Sequence, residues 1–154
     1  MSTLLAIDLG LKAGFATFSS EGKLLRYRST NFGKVSRLKS AAWNLLKEEG
    51  PPEYLVLEGD RHLAGIWSRC AERMGTSILQ VSPETWRKEL LLPRERRSGQ
   101  EAKEAADGLA RDVISLSGAP APRSLRHDAA EAILIGLWGV LQVGWLEELP
   151  ESLR

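Results

Sequence analysis

The chain has 154 residues, 43% of them hydrophobic, which suits one compact domain, residues 1–154, with its own core. A single cysteine, Cys70, excludes an internal disulfide framework and a cysteine-based zinc site, and it favours a cytoplasmic location. The net charge of +1 conceals a segregation of sign, because residues 23–39 carry six basic residues and no acid, whereas residues 127–154 carry five acids and one arginine. A basic segment of this kind is compatible with a polyanionic partner.

The N-terminal part has the pattern of a small antiparallel sheet followed by a helix. Three short apolar runs predict strands, namely Leu4 to Leu9, Gly14 to Ser19 and Leu24 to Ser29. The turn signal Glu21-Gly22-Lys23 joins the last two runs as a hairpin. Lys34 to Glu49 repeats its apolar residues with a helical period, and Gly50-Pro51-Pro52 ends that helix.

The rest of the chain predicts a β-α-β crossover followed by further helices. The predicted elements are a strand at Tyr54 to Leu57, a helix from about His62 to Met74, a strand at Ser77 to Val81, a helix beginning at Ser82-Pro83 and ending near Leu92, a helix from about Glu101 to Leu116, and a last helix from about Asp128 to Leu149. Between two of these helices, Arg94 to Gln100 is predicted to be a mobile basic loop. This order predicts an α/β fold with a mixed sheet. The apolar run Ala132 to Leu146 is shorter than the roughly 20 residues of a membrane span and predicts a buried helix.

Four acids occupy the ends or beginnings of predicted elements: Asp8, Glu58, Asp128 and Glu131. Asp128 and Glu131 are three residues apart, so both project from one face of the same helical turn. Carboxylates are the ligands that Mg²⁺ prefers, and two such ions about 4 Å apart hydrolyse phosphodiesters in many nucleases. The pattern therefore predicts a magnesium site, with Mn²⁺ as an alternative ion.

Each of these acids also has a purely structural interpretation. Asp128 suits a helix cap, and Glu131 suits a partner for Arg123 or Arg126. Asp8 interrupts an apolar strand, where a buried charge is costly without an ion or a partner, so a metal-binding role is favoured there. Asp60 competes with Glu58 for the same role. His127 is a secondary catalytic candidate beside the acids, and its alternative is a surface histidine.

Four segments together resemble the RuvC family of Holliday-junction resolvases, within the RNase H-like superfamily. They are Leu5 to Gly10 with Gly14-Phe15-Ala16, Leu55 to Glu58, Val81-Ser82-Pro83, and His127 to Ala132. The resemblance implies an RNase H-like mixed sheet and magnesium held by Asp8, Glu58, Asp128 and Glu131. It also implies a homodimer that cuts four-way DNA junctions symmetrically in recombination and repair. Leu9 stands where cellular members have proline and Glu131 where aspartate is usual, so the resemblance is to a divergent member, with a phage origin as one interpretation.

Three alternatives stay open at this point. The opening Asp8-Leu9-Gly10-Leu11-Lys12 is also similar to that of YqgF-like nucleases, which implies RNA or another nucleic acid as substrate. The same opening is similar to that of actin-like ATPases, but those folds need two domains around a nucleotide. A non-catalytic module that binds DNA junctions is the third alternative.

Basic side chains distributed through the chain are candidate phosphate ligands, and for any one of them the alternative is a solvated surface charge. The candidates are Lys34, Arg37, Lys39, Arg61, His62, Arg87, Lys88, Arg94, Arg96, Arg97, Lys103, Arg123 and Arg126. An apolar stripe on the helix after Glu58 is predicted to form the dimer interface, the alternative being packing on the sheet. That stripe consists of Leu63, Ile66, Trp67 and Cys70.

Overall fold

The computed structural model describes residues 2–48 and 50–153, so the ends of the predicted domain, Met1 and Arg154, and the end of the first predicted helix, Glu49, lie outside the described residues. The elements in chain order are β1 (Thr3–Asp8), β2 (Lys12–Ser19), β3 (Leu24–Asn31), α1 (Val35–Glu48), β4 (Tyr54–Glu58), α2 (Arg61–Arg73), β5 (Ser77–Val81), α3 (Pro83–Leu90), a 3-10 turn (Pro93–Glu95), α4 (Gly99–Ser117), α5 (His127–Gln142) and a second 3-10 turn (Glu151–Leu153).

The five strands form one mixed sheet in the order β3-β2-β1-β4-β5. β1, β2 and β3 are antiparallel neighbours, whereas β4 runs parallel to both β1 and β5. Gly22, at φ 82°, makes the turn between β2 and β3, a left-handed conformation that glycine adopts without a side-chain clash. The architecture confirms the predicted order of three antiparallel strands followed by parallel ones.

Helices cover both faces of the sheet because alternate residues of each strand point to opposite sides. Leu5 and Ile7 face α1 and α2, whereas Leu4 and Ala6 face α3, α4 and α5. Helix α5 is apolar on all sides and almost wholly buried, as the sequence predicts for a core helix. None of the helices in the described residues is long and apolar enough to cross a membrane.

Two glycines let α5 lie directly on the sheet. A Cβ at Gly136 would stand 2.3 Å from the ring of Phe18, and one at Gly139 would stand 2.8 Å from Val56. Any larger residue at either position would push the helix away from the strands. The helix axis is therefore fixed close to the sheet, and this fixes the position of the acids in its first turn.

Two predictions about element boundaries are wrong. Helix α5 ends at Gln142 rather than near Leu149, because Gly144 turns the chain at φ 80° and Trp145 N–H donates back to the Val140 carbonyl at 2.9 Å. The segment predicted as a loop, Arg94 to Gln100, contains a 3-10 turn, and α4 already begins at Gly99 because Ser98 caps it.

The sequence left two interpretations of the apolar stripe on α2, a dimer interface or packing on the sheet. Leu63, Ile66 and Trp67 are 8%, 4% and 0% exposed, and they pack on the sheet together with the half-buried Cys70. Trp67 lies edge-on to Phe15, with ring centroids 5.7 Å apart. The stripe therefore covers the sheet face beneath this crossover helix, as the packing alternative expects.

Candidate active site

Adjacent strand ends position the first two acids. Asp8 and Glu58 are directly paired residues at the carboxyl ends of β1 and β4, and Leu9 N–H donates to the Glu58 carbonyl at 2.9 Å just beyond them. Asp8 follows Ala6 in the strand alternation and Glu58 follows Val56, and both of these residues face α5. The two carboxyls therefore point toward the first turn of α5.

The first turn of α5 brings the other two acids to the same end of the sheet. Gly14, the β2 residue paired with Asp8, lies under this turn, and a Cβ there would stand only 1.8 Å from the Asp128 carbonyl oxygen. Helix α5 thus begins in contact with the backbone of β2. Asp128 accepts hydrogen bonds from the Ser29 hydroxyl of β3 and from Ala129 N–H, while Glu131 is 5% exposed.

The pKa values of the strand carboxyls show that the acids lie close enough to repel one another. Burial, together with repulsion by Glu58, Glu131 and Asp128, raises the pKa of Asp8 to about 8. Burial also raises the pKa of Glu58, with further repulsion from Glu131. The contact between the two carboxyl groups adds to the rise in the pKa of Asp8, and together with Arg87 it partly offsets the rise in the pKa of Glu58.

Two basic side chains contact Glu131. Arg87 Nη2 donates to Glu131 Oε1 at 3.0 Å, and His127 Nε2 lies 3.2 Å from the same oxygen, one helical turn away. The other oxygen, Glu131 Oε2, is buried without a hydrogen-bond partner among the described residues, as is Arg87 Nε. Unpaired buried polar atoms are costly and uncommon, so this carboxylate is incompletely satisfied by the protein alone.

Sequence reasoning placed Arg87 among the phosphate ligands and missed its contact with the acids. Its position follows from local sequence, since Ser82 caps α3, Pro83 starts it, and Trp86 is fully buried against the core. The residue after Trp86 then lies on the half-buried side of α3, next to α5. The cap and the tryptophan can be recognised in the sequence, whereas the contact with Glu131, 44 residues away, cannot.

The four carboxylates suit hard divalent cations, although they are not arranged as a completed metal site. Within residues 2–48 and 50–153, no three His, Cys, Asp or Glu side chains are placed so that they could already hold an ion. Their oxygens are engaged instead: Asp8 bonds to Glu58, Asp128 accepts from Ser29, and Glu131 accepts from Arg87. The orphaned Glu131 oxygen and the mutual repulsion of the acids are both relieved by a cation, so the residues present fit Mg²⁺ or Mn²⁺.

A groove opens on each side of the acid cluster. The groove on the Asp128 side, about 360 Å³, is lined by Lys12, Ser29, Thr30, Asn31, Arg126 and Asp128. The groove on the Arg87 side, about 380 Å³, is lined by Glu84, Arg87, Lys88, Arg96, Arg97, Ser98, Gly99 and Ala102. Lys12 is a groove residue that the sequence analysis did not single out. Both grooves carry basic side chains, as a surface for a phosphate backbone requires.

The remaining predicted site residues are mostly exposed. The exposed basic residues are Lys34, Arg37, Lys39, Arg61, His62, Lys88, Arg94, Arg96, Arg97, Lys103, Arg123 and Arg126. Arg61 and His62 begin α2, three and four residues after Glu58, and Lys34 lies just after β3, whose end pairs with the start of β2. Asp60 is the N-cap of α2, accepting from Leu63 N–H at 3.0 Å, so it does not compete with Glu58 for the cluster.

Comparison with solved structures identifies proteins that share this fold. One is T. thermophilus RuvC in complex with Holliday junction substrate, at 18% identity and a TM-score of 0.65, over 94% of this chain and 96% of that one. The Thermus thermophilus RuvC structure gives 19% identity and a TM-score of 0.62, over 91% and 94%. The yeast mitochondrial Holliday junction resolvase Ydc2 gives 17% identity and a TM-score of 0.50, over 94% and 82%.

These matches extend over nearly the whole chain. They confirm the RNase H-like fold, in the form that RuvC has, which the sequence motifs predicted. No protein-family model and no curated protein matches the sequence. The likeness is thus one of fold, and any activity must be argued from the site.

Proposed function

We propose that this protein is a metal-dependent endonuclease that resolves four-way DNA junctions. The observation that carries the proposal is the convergence of Asp8, Glu58, Asp128 and Glu131, from three distant parts of the chain, at one end of the sheet. The fold is shared with a RuvC solved with a Holliday junction substrate, which supports branched DNA as the ligand class. The basic grooves on both sides of the acids support it independently.

The four carboxylates would hold one or two Mg²⁺ or Mn²⁺ ions. When bound, such ions supply a deprotonated water and stabilise the charge on the leaving oxygen of the phosphodiester. Asp8 and Glu58 would act as ligands in their ionised form, and Asp128 and Glu131 would complete the set. His127 is 51% exposed and contacts Glu131, so it is placed to exchange a proton with solvent at the edge of the cluster.

The two grooves would hold the phosphate backbone on either side of the cut. Lys12 and Arg126 would contact it on one side, and Lys88, Arg96 and Arg97 on the other. Contacts of this kind neutralise phosphates without reading bases, so selectivity for junctions would come from the shape of branched DNA. The exposed residues Arg61 and His62 would face the junction beside the active site.

Symmetrical resolution needs two active sites, so the proposal includes a homodimer acting in DNA recombination and repair. Because the apolar residues of α2 are buried, the partner subunit would contact other residues. Sedimentation velocity of the purified protein, alone and with junction DNA, tests this part. Protein that sediments as a 17.0 kDa monomer alone and adds only one such mass to the junction would contradict it.

The direct test of the proposed function is cleavage of a substrate panel with Mg²⁺, with Mn²⁺ and with EDTA. The panel contains a labelled four-way junction, a flap, a linear duplex and RNA counterparts of each. Paired nicks in opposite strands of the junction, dependent on the metal, are the expected result. Preferential cutting of RNA would favour the YqgF-like alternative, and tight junction binding without cleavage in either metal would favour a binding module.

A further inference from the structure

Arg87 stands between two environments of opposite charge. Its guanidinium contacts Glu131 in the acid cluster, and the same side chain lines the basic groove with Lys88, Arg96 and Arg97. We propose that Arg87 is a resident cation: it compensates the acid cluster when no metal is bound and leaves Glu131 for the groove when a metal binds. This inference rests on the proposed function, because it assumes that Glu131 is a metal ligand.

The acid cluster needs a compensating charge in the absence of metal. Four carboxyls share a mostly buried corner of the sheet, with Glu58 and Glu131 only 8% and 5% exposed. Like charges at such short range destabilise the fold unless protons or cations compensate them. Arg87 reaches Glu131 Oε1 at 3.0 Å and also stabilises the charge on Glu58. It can therefore hold the metal-free cluster together.

The same contact competes with metal binding at Glu131. A guanidinium that remained on this carboxylate would be a second cation next to the Mg²⁺ ion, and the two positive charges would repel each other. The present position also leaves Arg87 Nε buried without an acceptor and Glu131 Oε2 without a donor, so neither partner is fully satisfied. A metal at Glu131 would satisfy the carboxylate and release the guanidinium.

The groove on the Arg87 side of the acid cluster can accept the released Arg87 side chain. The guanidinium carbon of Arg87 lies over the ring of Trp86, 5.3 Å from its centroid, and the side chain is 26% exposed and lines the groove, so rotation about its outer torsions would turn the guanidinium toward the groove. There it would join Lys88, Arg96 and Arg97 as a ligand for phosphate. Metal uptake and backbone binding would then be coupled through one side chain.

The test measures metal affinity without DNA, by calorimetric titration of Mg²⁺ and Mn²⁺ into the wild-type protein, Arg87→Met and Arg87→Lys. Arg87→Met is expected to bind the metal about tenfold more tightly, the scale of one charged hydrogen bond that no longer has to be displaced. Arg87→Lys keeps the charge and is expected to stay close to the wild type. The matched control is Arg111→Met, which removes an exposed arginine paired with Asp107 at 2.8 Å on α4 and should leave the affinity unchanged.

A second measurement tests whether Arg87 stabilises the acid cluster in the absence of metal. In EDTA, Arg87→Met should melt at a lower temperature than the wild type, and addition of Mg²⁺ should raise its melting temperature by more. Arg87→Gln replaces the methionine variant if circular dichroism shows that the latter does not fold.

Equal or weaker metal binding by folded Arg87→Met, or by Arg87→Gln in its place, would overturn the inference, because it would mean that Arg87 positions Glu131 for the metal or has no part in its binding. That result would leave the proposed nuclease function intact, since the wild type would still bind the ion. Absence of metal uptake by the wild type would overturn the inference and the proposed function together.

Discussion

Asp8 and Glu58 are directly paired neighbours across the parallel ladder of β1 and β4, and their two carboxyl groups are in contact. Such a pair is held by backbone hydrogen bonds on both strands, so neither side chain can retreat far from the other. The protein keeps them together at the cost of a raised pKa on each. A divalent cation would stabilise the ionised form of both carboxyl groups, so the stability of the site depends on whether a metal is bound.

Removal of the Asp8 carboxylate should separate chemistry from binding. Asp8→Asn is expected to reduce Mg²⁺-dependent junction cleavage by more than about a hundredfold. Loss of a residue that only hydrogen-bonds to a metal ligand already lowers metal affinity or activity by about 10–100-fold, and Asp8 would be a ligand itself. Binding of the uncut junction should change little, since it depends on the basic grooves. Gel-based nicking and mobility-shift assays on the same preparation measure both, and undiminished cleavage would reject the site.

The metal-free protein should lose stability as the pH rises. Asp8 has a pKa of about 8 when folded and 3.8 as its ordinary value, so the folded state holds a proton that the unfolded state has released between these limits. Stability is therefore expected to fall from about pH 4 to pH 8, by roughly 1 kcal/mol per pH unit in the middle of the window. Urea unfolding in EDTA measures the slope, and Asp8→Asn should flatten it. An identical slope in the variant would contradict the pKa assignment.

Gly14 should be irreplaceable. A Cβ at this position would lie 1.8 Å from the Asp128 carbonyl, so Gly14→Ala must push the first turn of α5 away from β2. We expect a loss of about 1–3 kcal/mol of stability and a larger loss of cleavage, because Asp128 and Glu131 move with the helix. Gly108→Ala is the control: nothing lies within 4 Å of its Cβ position on α4, and alanine should stabilise that helix by about 0.5–1 kcal/mol. Equal unfolding free energies for the two variants would refute the close approach.

The groove on the Asp128 side should contribute to DNA affinity through charge. Lys12→Gln and Arg126→Gln are each expected to weaken junction binding severalfold and to reduce the salt dependence by about one unit of slope. Lys47→Gln serves as the control, because Lys47 is an exposed residue in the last turn of α1, and that helix begins at the active-site end of the sheet and runs away from it. The salt dependence of fluorescence anisotropy is the measurement, and an effect of Lys47 equal to that of Lys12 would argue against a specific groove.

The sequence alone determines the order of the secondary-structure elements and the identity of the candidate site residues. The strand and helix order, the mixed sheet and the positions of Asp8, Glu58, Asp128 and Glu131 at element ends all follow from periodicity and turn residues, which act over a few neighbours in the chain. These features identify the four acids as candidate site residues without knowledge of the three-dimensional structure. The family resemblance depended on the same local motifs.

Only the tertiary structure decided which surfaces were already occupied. The apolar residues of the α2 stripe can be identified in the sequence, where they suit either a dimer interface or packing on the sheet. Whether the sheet or a partner covers them depends on packing between distant segments. The Arg87–Glu131 contact joins residues 44 positions apart, and Gly14 matters only because α5 crosses β2 at that point. Local structural propensity depends on each residue and its near neighbours in the chain. Contacts across the core form only when distant segments fold together, and the charge balance of this site depends on such contacts.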